Sequence, residues 1–371
     1  MKFVCTQPEL QRALSLVGRA IRANATLPIL ENILLKAESK RLYLTATNLE
    51  TTIECSIDVQ VVNEGQTTVP AKLFDAYVSL LPKGENVEVT LINTVDLEIK
   101  TMSSETVIKG LNPDDFPLTP AVDKQGVLIL VAEKLHEGIS RTIYATASNP
   151  SRPVLTGIYT QIKGDKVIFV GTDSYRLSEH TITVKKADTS IEECNIPAQT
   201  MAEVLRIFPK SEEDIEITLS RNQVQFSQNG IRLVSRLIEG KFPPYRDIIP
   251  KTMVSRAILS VSDLLMAIKR ISLFARENNN TIRFEFITDE VSKVVLTSTS
   301  AELGSGRTEL PCTIEGEAAS IPLNSGYLID FLSTVTGEYV YFDVDTKLTP
   351  AVLRPKERDD YFYLVMPLKG E

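Results

Sequence analysis

The chain has 371 residues, with a hydrophobic fraction of 43%, a charged fraction of 24% and a formal net charge of −8. Single cores stop growing near about 250 to 300 residues, so this length predicts two or three domains, and the ordinary composition excludes a disordered or fibrous protein. The acidic balance argues against a protein that grips nucleic acid through an overall basic surface, but it permits basic residues confined to one wall.

The N-terminal residues and the cysteines indicate the compartment. No apolar run approaches the roughly 20 residues that span a bilayer, and the segment after Met1 does not read as a signal peptide, so we expect a cytoplasmic protein. Cys5, Cys55, Cys194 and Cys312 form no Cys-x-x-Cys pair, and we expect buried thiols. With only His136 and His180 available, we expect no histidine-rich zinc site and no cofactor.

Each third of the chain opens with an apolar stripe at helical spacing. The stripes are Leu10, Leu14, Val17 and Ile21, then Leu135, Ile139 and Ile143, then Leu264, Ile268 and Ile271. Alternating β-branched runs such as residues 87–91 and 215–219 predict strands between the helices.

Two further features recur in the same order. Thr47, Thr172 and Thr299 end strand-like runs and are 125 and 127 residues apart. Pro70, Pro197 and Pro322 are 127 and 125 residues apart, and each precedes a second predicted helix. Proline suits that place because it ends a strand and presets the first helical turn. The repeat predicts an α+β protein of three domains, each ordered helix, strands, helix, strands, at residues 1–120, 127–247 and 252–371.

Basic residues accompany the opening helices in all three copies. They are Arg12, Arg19 and Arg22 in the first copy, Lys134 and Arg141 in the second, and Lys269, Arg270 and Arg276 in the third. A solvated helix surface explains any one of these groups, but their recurrence favours a shared basic wall.

Domain size indicates how such a wall could surround DNA. A domain of this length has a diameter of roughly 36 Å, so three in a triangle leave a hole of about 6 Å and six in a hexagon leave about 36 Å. Duplex DNA is roughly 20 Å across, and only the larger hole admits it. A head-to-tail homodimer, with helices lining the channel and sheets outside, would close such a ring.

Four short motifs, in order along the chain, resemble one family. They are TLPIL at 26–30 with Asn32, TDSYRL at 172–177, GKFP at 240–243 with Tyr245 and Arg246, and VMPL at 365–368. The whole chain resembles the β subunit of bacterial DNA polymerase III, the β sliding clamp. The resemblance implies a non-catalytic processivity factor that encircles duplex DNA without sequence preference. Its implied partners are a second copy, the polymerase III catalytic subunit, the clamp loader and other replication and repair clients that dock through short linear peptides.

The resemblance also implies three sets of site residues. DNA-phosphate contacts would be Arg19, Arg22, Lys72, Arg141 and Arg152. The client-peptide pocket would comprise Leu155, Thr172, Tyr175, Arg176, Leu177, Pro243, Ile248, Leu364, Val365, Met366, Pro367 and Leu368. The dimer interface would join Ile108 of one copy to Leu273 and Phe274 of the other. The chain departs from some relatives at Asn24, at Pro153 and Val154, and in the ending Lys369-Gly370-Glu371.

Two other classes of protein compete with this interpretation. An enzyme could use the paired carboxylates Asp114 and Asp115, or Glu192 and Glu193, as acid and base. Adjacent acidic residues in such loops are usually turn formers or solvated charges, and the sequence has no phosphate-binding loop, Gly-x-Ser-x-Gly or zinc spacing. A clamp-like scaffold that binds only proteins and never encircles DNA is the remaining alternative.

Overall fold

The computed structural model describes residues 1–22, 25, 27–117, 121–149, 151–346 and 348–368. Asn24, Thr26 and the ending Lys369-Gly370-Glu371, which the sequence analysis singled out, lie outside the described residues. Within the described ranges, no helix is both long and apolar enough to cross a membrane.

The first third of the chain begins with a strand that leads directly into a helix. Its elements are β1 (Lys2–Thr6), α1 (Gln7–Val17), β2 (Asn32–Glu38), β3 (Arg41–Thr47), β4 (Thr51–Asp58), β5 (Gln60–Asn63), β6 (Gly65–Pro70), α2 (Ala71–Ser79), β7 (Asn86–Ile92), β8 (Asp96–Lys100) and β9 (Glu105–Ile108). Leu10, Leu14 and Val17 are fully buried on α1, so this part of the predicted stripe is confirmed.

The central and last thirds repeat that order. The central elements are β10 (Gly126–Val131), α3 (Ala132–Ser140), β11 (Gly157–Lys163), β12 (Lys166–Thr172), β13 (Arg176–Thr183), β14 (Lys186–Thr189), β15 (Glu193–Pro197), α4 (Ala198–Ile207), β16 (Asp214–Leu219), β17 (Gln223–Gln228) and β18 (Ile231–Arg236). The last are β19 (Ser255–Ser260), α5 (Val261–Ser272), β20 (Thr281–Ile287), β21 (Lys293–Ser300), β22 (Gly304–Pro311), β23 (Thr313–Gly316), β24 (Ala319–Asn324), α6 (Ser325–Leu332), β25 (Tyr339–Val344), β26 (Ala351–Pro355) and β27 (Tyr361–Val365). The predicted α+β repeat is confirmed.

Two of the three opening helices, α1 and α3, are shorter than the stripes predicted, whereas α5 contains its whole stripe. Helix α1 ends at Val17, and residues 18–20 form a 3₁₀ turn that begins at Gly18, a residue of low helix propensity. Arg19 therefore lies on this turn and Ile21 beyond it. In the same way α3 ends at Ser140, before Arg141 and Ile143.

The predicted role of the prolines holds at two of the three positions. Pro70 caps α2, and Pro197 is the last residue of β15 before α4 begins. Pro322 lies inside β24, an edge strand where a missing N–H is tolerated, and Asn324 caps α6 by accepting from the amides of Gly326 and Tyr327.

The chain forms two compact units that divide the central third. The first comprises Met1–Glu133, Lys185–Ile191 and Ala202–Leu237, and the second comprises Lys134–Val184, Glu192–Met201 and Ile238–Glu371. Among the described residues, the first unit holds a sheet ordered β5-β1-β7-β8-β9 and another ordered β14-β10-β16-β17-β18-β4-β3-β2-β6. The second holds β15-β11-β12-β13-β27-β26-β25-β19-β23 and β22-β21-β20-β24. The strand pairs β18–β4 and β13–β27 therefore join central strands to strands of the other thirds.

Candidate functional site

A tight turn between β12 and β13 organises the predicted peptide pocket. The Thr172 hydroxyl donates to the Arg176 carbonyl at 2.7 Å and accepts from the Ser174 amide at 3.2 Å. Asp173 accepts from the amides of Tyr175 and Arg176, and Ser174 takes a left-handed φ of 80°. The turn leaves the Tyr175 side chain 62% exposed, whereas Thr172 is buried. Thr172 therefore holds the turn, and Tyr175 presents its ring to solvent.

Arg176 is fixed from several sides. Its guanidinium forms ion pairs with Asp173 at 3.0 Å and Asp330 at 2.6 Å, and it lies 4.3 Å from the Tyr327 ring centre. Burial alone would lower the pKa of Arg176, but the carboxylates of Asp330 and Asp173 hold it above its ordinary value. The guanidinium is charged and already engaged, which suits it to positioning the turn.

The apolar residues of the predicted pocket differ in their exposure to solvent. Leu155, Leu177 and Leu364 are buried in one cluster, with Met366 packed at its edge. The exposed members are Tyr175, Pro243 and Ile248, and the half-buried members are Met366, Pro367 and Leu368. The Leu368 amide donates to the Pro322 carbonyl at 2.9 Å. Val365 is fully buried in a different cluster, the core of the last third, so the structure does not bring its side chain together with the other predicted lining residues.

The sequence analysis missed an aromatic anchor beneath this pocket. Tyr159 and Phe242 stack with ring centres 4.6 Å apart, and Tyr245 meets both rings edge-on. The Tyr245 hydroxyl donates to Glu179 at 2.5 Å. Burial and the nearby Glu179 raise the pKa of Tyr245, so the phenol stays a donor. Phe242 belongs to the GKFP motif, and Tyr245 follows it two residues after Pro243. The presence of two aromatic residues on either side of Pro243 was the feature of the sequence that could have indicated this cluster.

Two of the predicted DNA contacts share a hollow in the first unit. Arg19 and Lys72 line a space of about 380 Å³ together with Asp75 and Glu203. Arg19 forms an ion pair with Glu203 at 2.6 Å, and Arg22, which lies outside this hollow's lining, forms one with Glu50 at 2.7 Å. These basic side chains are accessible but accompanied by carboxylates.

Arg141 is not available as a phosphate contact. Its side chain is 4% exposed, and its guanidinium donates to His180 Nε2 at 2.8 Å and to the Thr336 hydroxyl at 3.1 Å. The predicted contact is therefore wrong for this structure, because burial and internal partners remove the charge from solvent. Arg152 is exposed, and it donates to the Ser174 hydroxyl at 2.9 Å, which places it beside the turn of the peptide pocket.

The predicted dimer residues lie next to unpaired strand edges. Leu273 is 53% exposed, and Phe274 packs over Gly306 of the edge strand β22, where an added Cβ would lie 2.7 Å from the ring. Ile108 is only 3% exposed, so its side chain packs inward within its own chain and does not present an apolar surface to a second copy. Val107, its neighbour on the edge strand β9, is 46% exposed and faces the other way.

The carboxylates behind the enzyme alternative lie at exposed positions. Asp114 and Asp115 are exposed in a 3₁₀ turn capped by Asn112, and Glu193 accepts from Tyr159. Among the residues that the structure describes, no cluster of His, Cys, Asp or Glu could hold a metal ion.

The cysteines follow the sequence prediction closely. Cys5, Cys55 and Cys194 are buried, and Cys312 is half-buried. Burial raises the pKa of both Cys5 and Cys194 to about 12. These thiols are protonated and packed, as expected of cysteines used as small apolar residues.

Three family models match successive parts of the chain. They describe the N-terminal domain of the DNA polymerase III beta subunit at residues 1–120, its central domain at 130–244 and its C-terminal domain at 246–369. The beta sliding clamp of Synechococcus elongatus is 32% identical over 375 residues, covering 100% of this chain and 99% of the relative. That of Staphylococcus aureus is 30% identical, covering 95% and 94%.

Solved structures have the same fold. The DNA polymerase sliding clamp of Bacillus subtilis superposes with a TM-score of 0.96 at 24% identity, and each chain is covered completely. The DNA polymerase III beta chain of Streptococcus pneumoniae gives a TM-score of 0.94 at 26% identity, again with complete coverage.

Proposed function

Because the chain belongs to the DNA polymerase III beta-subunit family, the beta sliding clamps, we propose that it encircles duplex DNA and tethers the replicative polymerase and other clients there. The observation that carries this proposal is the match of three successive clamp domains along the whole chain. The proposed domain bounds are 1–120, 127–247 and 252–371. The clamp acts in the cytoplasm as a processivity factor and catalyses no reaction itself.

The ring closes as a head-to-tail homodimer. Strand β9 and strand β22 each lie at the edge of a sheet, and an unpaired edge is a template for another strand. Val107 is exposed on β9, while Leu273 and Phe274 lie beside β22. Docking β9 of one copy against β22 of the other would pair both edges and cover these apolar side chains, and the same contact would form twice.

The contacts with DNA are weak and independent of sequence. Arg19, Arg22, Lys72 and Arg152 are the phosphate contacts that remain after Arg141 is set aside. Basic side chains that meet only the backbone hold a duplex without reading its bases. An acidic protein with few such contacts suits movement along DNA.

The clients dock on the predicted peptide pocket at its exposed and half-buried members Tyr175, Pro243, Ile248, Met366 and Leu368. Arg152 flanks it beside the Thr172–Leu177 turn, through its bond to Ser174. A short peptide with a glutamine and paired hydrophobic residues would bury a few anchors there, each worth roughly 1.5 to 3 kcal/mol, so micromolar affinity is expected. The flexible Met366 thioether can repack around different client side chains.

Retention on circular DNA tests the encirclement directly. The protein is loaded by its clamp loader onto nicked circular DNA, and retention is measured before and after a restriction enzyme linearises the circle. A topological clamp stays on the circle and runs off the linear product. The variant Arg19→Ala, Arg22→Ala, Lys72→Ala should load poorly or leave sooner and remain dimeric. Equal retention on circular and linear DNA, or none on either, would favour the scaffold that binds only proteins.

A further inference from the structure

Glu203, on helix α4, binds two arginines at once. Its Oε2 accepts from Arg19 Nε at 2.6 Å, and its Oε1 accepts from the Arg206 guanidinium at 2.7 Å. The Glu203 side chain is 17% exposed, against 36% for Arg19 and 56% for Arg206. An anion that engages guanidiniums through separate oxygens has the arrangement that a phosphate group adopts.

The Glu203 carboxylate lines the same hollow as two of the proposed DNA contacts. Arg19 and Lys72 line it, with Glu203 and Asp75. Asp75 already accepts from Gln11 at 2.8 Å, so Glu203 is the carboxylate that engages Arg19. A phosphate entering the hollow would therefore compete with Glu203 for the Arg19 guanidinium.

A second ion pair also joins a proposed DNA contact to a carboxylate of the same chain. Arg22 and Glu50 pair at 2.7 Å, with side chains 50% and 63% exposed. Two of the four proposed DNA contacts therefore face a carboxylate of their own chain. The Arg22–Glu50 pair is exposed and therefore weak, and the Arg19–Glu203 pair is partly exposed. An incoming phosphate can compete with either carboxylate, and a displaced carboxylate stays nearby and repels the phosphate.

We propose that Glu203, and Glu50 in the same way, are internal competitors for DNA phosphates that keep the clamp's hold on DNA weak enough for sliding. This inference rests on the proposed function, because it concerns the same basic residues. Each contact made by exchange of a carboxylate for a phosphate releases fewer counterions than one made by an uncompensated arginine. The carboxylates therefore lower both the affinity for DNA and its dependence on salt.

Glu203→Gln tests the proposal with little change in shape. The amide retains an acceptor oxygen for one arginine and removes the negative charge. Asp58→Asn is the matched control: Asp58 pairs with Arg41 at 3.0 Å and is 85% exposed, and its loss changes the net charge equally without touching the hollow. Binding to a fluorescein-labelled duplex is followed by anisotropy across a salt series, and diffusion of the loaded dimer on DNA is followed by single-molecule tracking.

The expected results separate the two variants. Glu203→Gln should bind the duplex roughly 3- to 10-fold more tightly at low salt, and its log–log salt slope should steepen by up to about 0.9 for each arginine that gains a phosphate. Its diffusion on DNA should slow. Asp58→Asn should match the unmodified chain within about twofold. Glu50→Gln should repeat the effect at Arg22, and it keeps the proposal testable if Glu203→Gln does not fold.

Two outcomes would overturn the proposal. One is an unchanged salt slope and diffusion rate in folded, dimeric Glu203→Gln and Glu50→Gln. The other is an equal shift in Asp58→Asn, which would show a general effect of net charge. Either result would leave retention on circular DNA intact, whereas failure of the proposed function would abolish retention in the unmodified chain too.

Discussion

Tyr245 anchors the segment that carries Pro243 and Ile248, and its hydroxyl allows that anchoring to be measured. The phenol donates to Glu179 at 2.5 Å, and Glu179 is only 8% exposed. The Arg246 guanidinium lies 3.5 Å from the same carboxylate, which is beyond a normal hydrogen bond. Tyr245→Phe keeps the ring in its aromatic cluster but leaves a buried carboxylate without its donor. A lost hydrogen bond to a buried charged group costs on the order of 1.5 to 3 kcal/mol.

Tyr159→Phe is a matched control in the same cluster. The Tyr159 hydroxyl also donates to a carboxylate, that of Glu193, but Glu193 is exposed and water can replace the donor. The ring keeps its stacking on Phe242 in this variant. We expect a cost of at most about 1 kcal/mol, near the net value of an ordinary hydrogen bond.

Hydrogen exchange and peptide binding measure the difference. A cost of 1.5 to 3 kcal/mol raises local opening by about 10- to 150-fold, so the amides of residues 245–249 should exchange faster in Tyr245→Phe. Peptide affinity, measured by anisotropy, should fall because the segment that carries Pro243 and Ile248 is more often locally open. Equal amide exchange rates and equal peptide affinities in Tyr245→Phe and Tyr159→Phe would show that the hydrogen bond to Glu179 does not hold this segment in place.

Three further predictions address the interface, the pocket and pH. Replacing Leu273 and Phe274 with Asp should give folded monomers by light scattering, since charges would enter an apolar contact; persistent dimers would place the interface elsewhere. Met366→Ala should weaken peptide binding about 3- to 10-fold while leaving the dimer intact, and unchanged affinity would remove Met366 from the site. Burial and the charge of Arg141 lower the pKa of His180 to about 4. In the unfolded chain His180 takes up a proton at about pH 6.5, whereas in the folded chain it stays neutral down to about pH 4. The folded state is therefore fully stable with respect to this group above about pH 6.5 and loses roughly 3 kcal/mol of unfolding free energy as the pH falls towards 4. His180→Gln should flatten this part of the profile of unfolding free energy against pH, and an unchanged slope would exclude the imidazole as its cause.

The repeat was predictable because apolar spacing is a local property of the sequence. Leu10 and Leu14 lie one turn apart on α1, and Leu264 and Ile268 do the same on α5, so the burial of one helix face follows from its own residues. Strand alternation predicted β7 and β16 for the same reason. Helix ends were less predictable, because a 3₁₀ turn at Gly18 costs little relative to another helical turn.

The depth of the pocket residues could not be predicted from local spacing. Strand β13 is buried on both faces over residues 177–180, which alternation cannot indicate. Part of the reason is the pairing of Leu177 with Leu364 on β27, between residues 187 positions apart in the chain. Glu179 is drawn into that buried stretch, and Val365 is turned into the core of the last third. The motifs located the neighbourhood correctly, but only the long-range pairing determines which side chains reach solvent.

Arg141 shows why equivalent positions in a repeat need not share a function. The sequence grouped it with Arg19 because both follow an apolar stripe in the opening of a copy. Arg19 lies at the surface in reach of an exchangeable carboxylate, whereas Arg141 is buried against His180 and Thr336, so moving it to a phosphate would break two hydrogen bonds and empty a packed site. The repeat preserves the position of the arginine along the backbone. The packing around it in each copy determines whether its guanidinium can contact DNA or instead stabilises the fold. Within this clamp, three of the four proposed contacts with DNA therefore fall in the first copy, and the arginine of the central copy that is equivalent to Arg19 stabilises its surroundings.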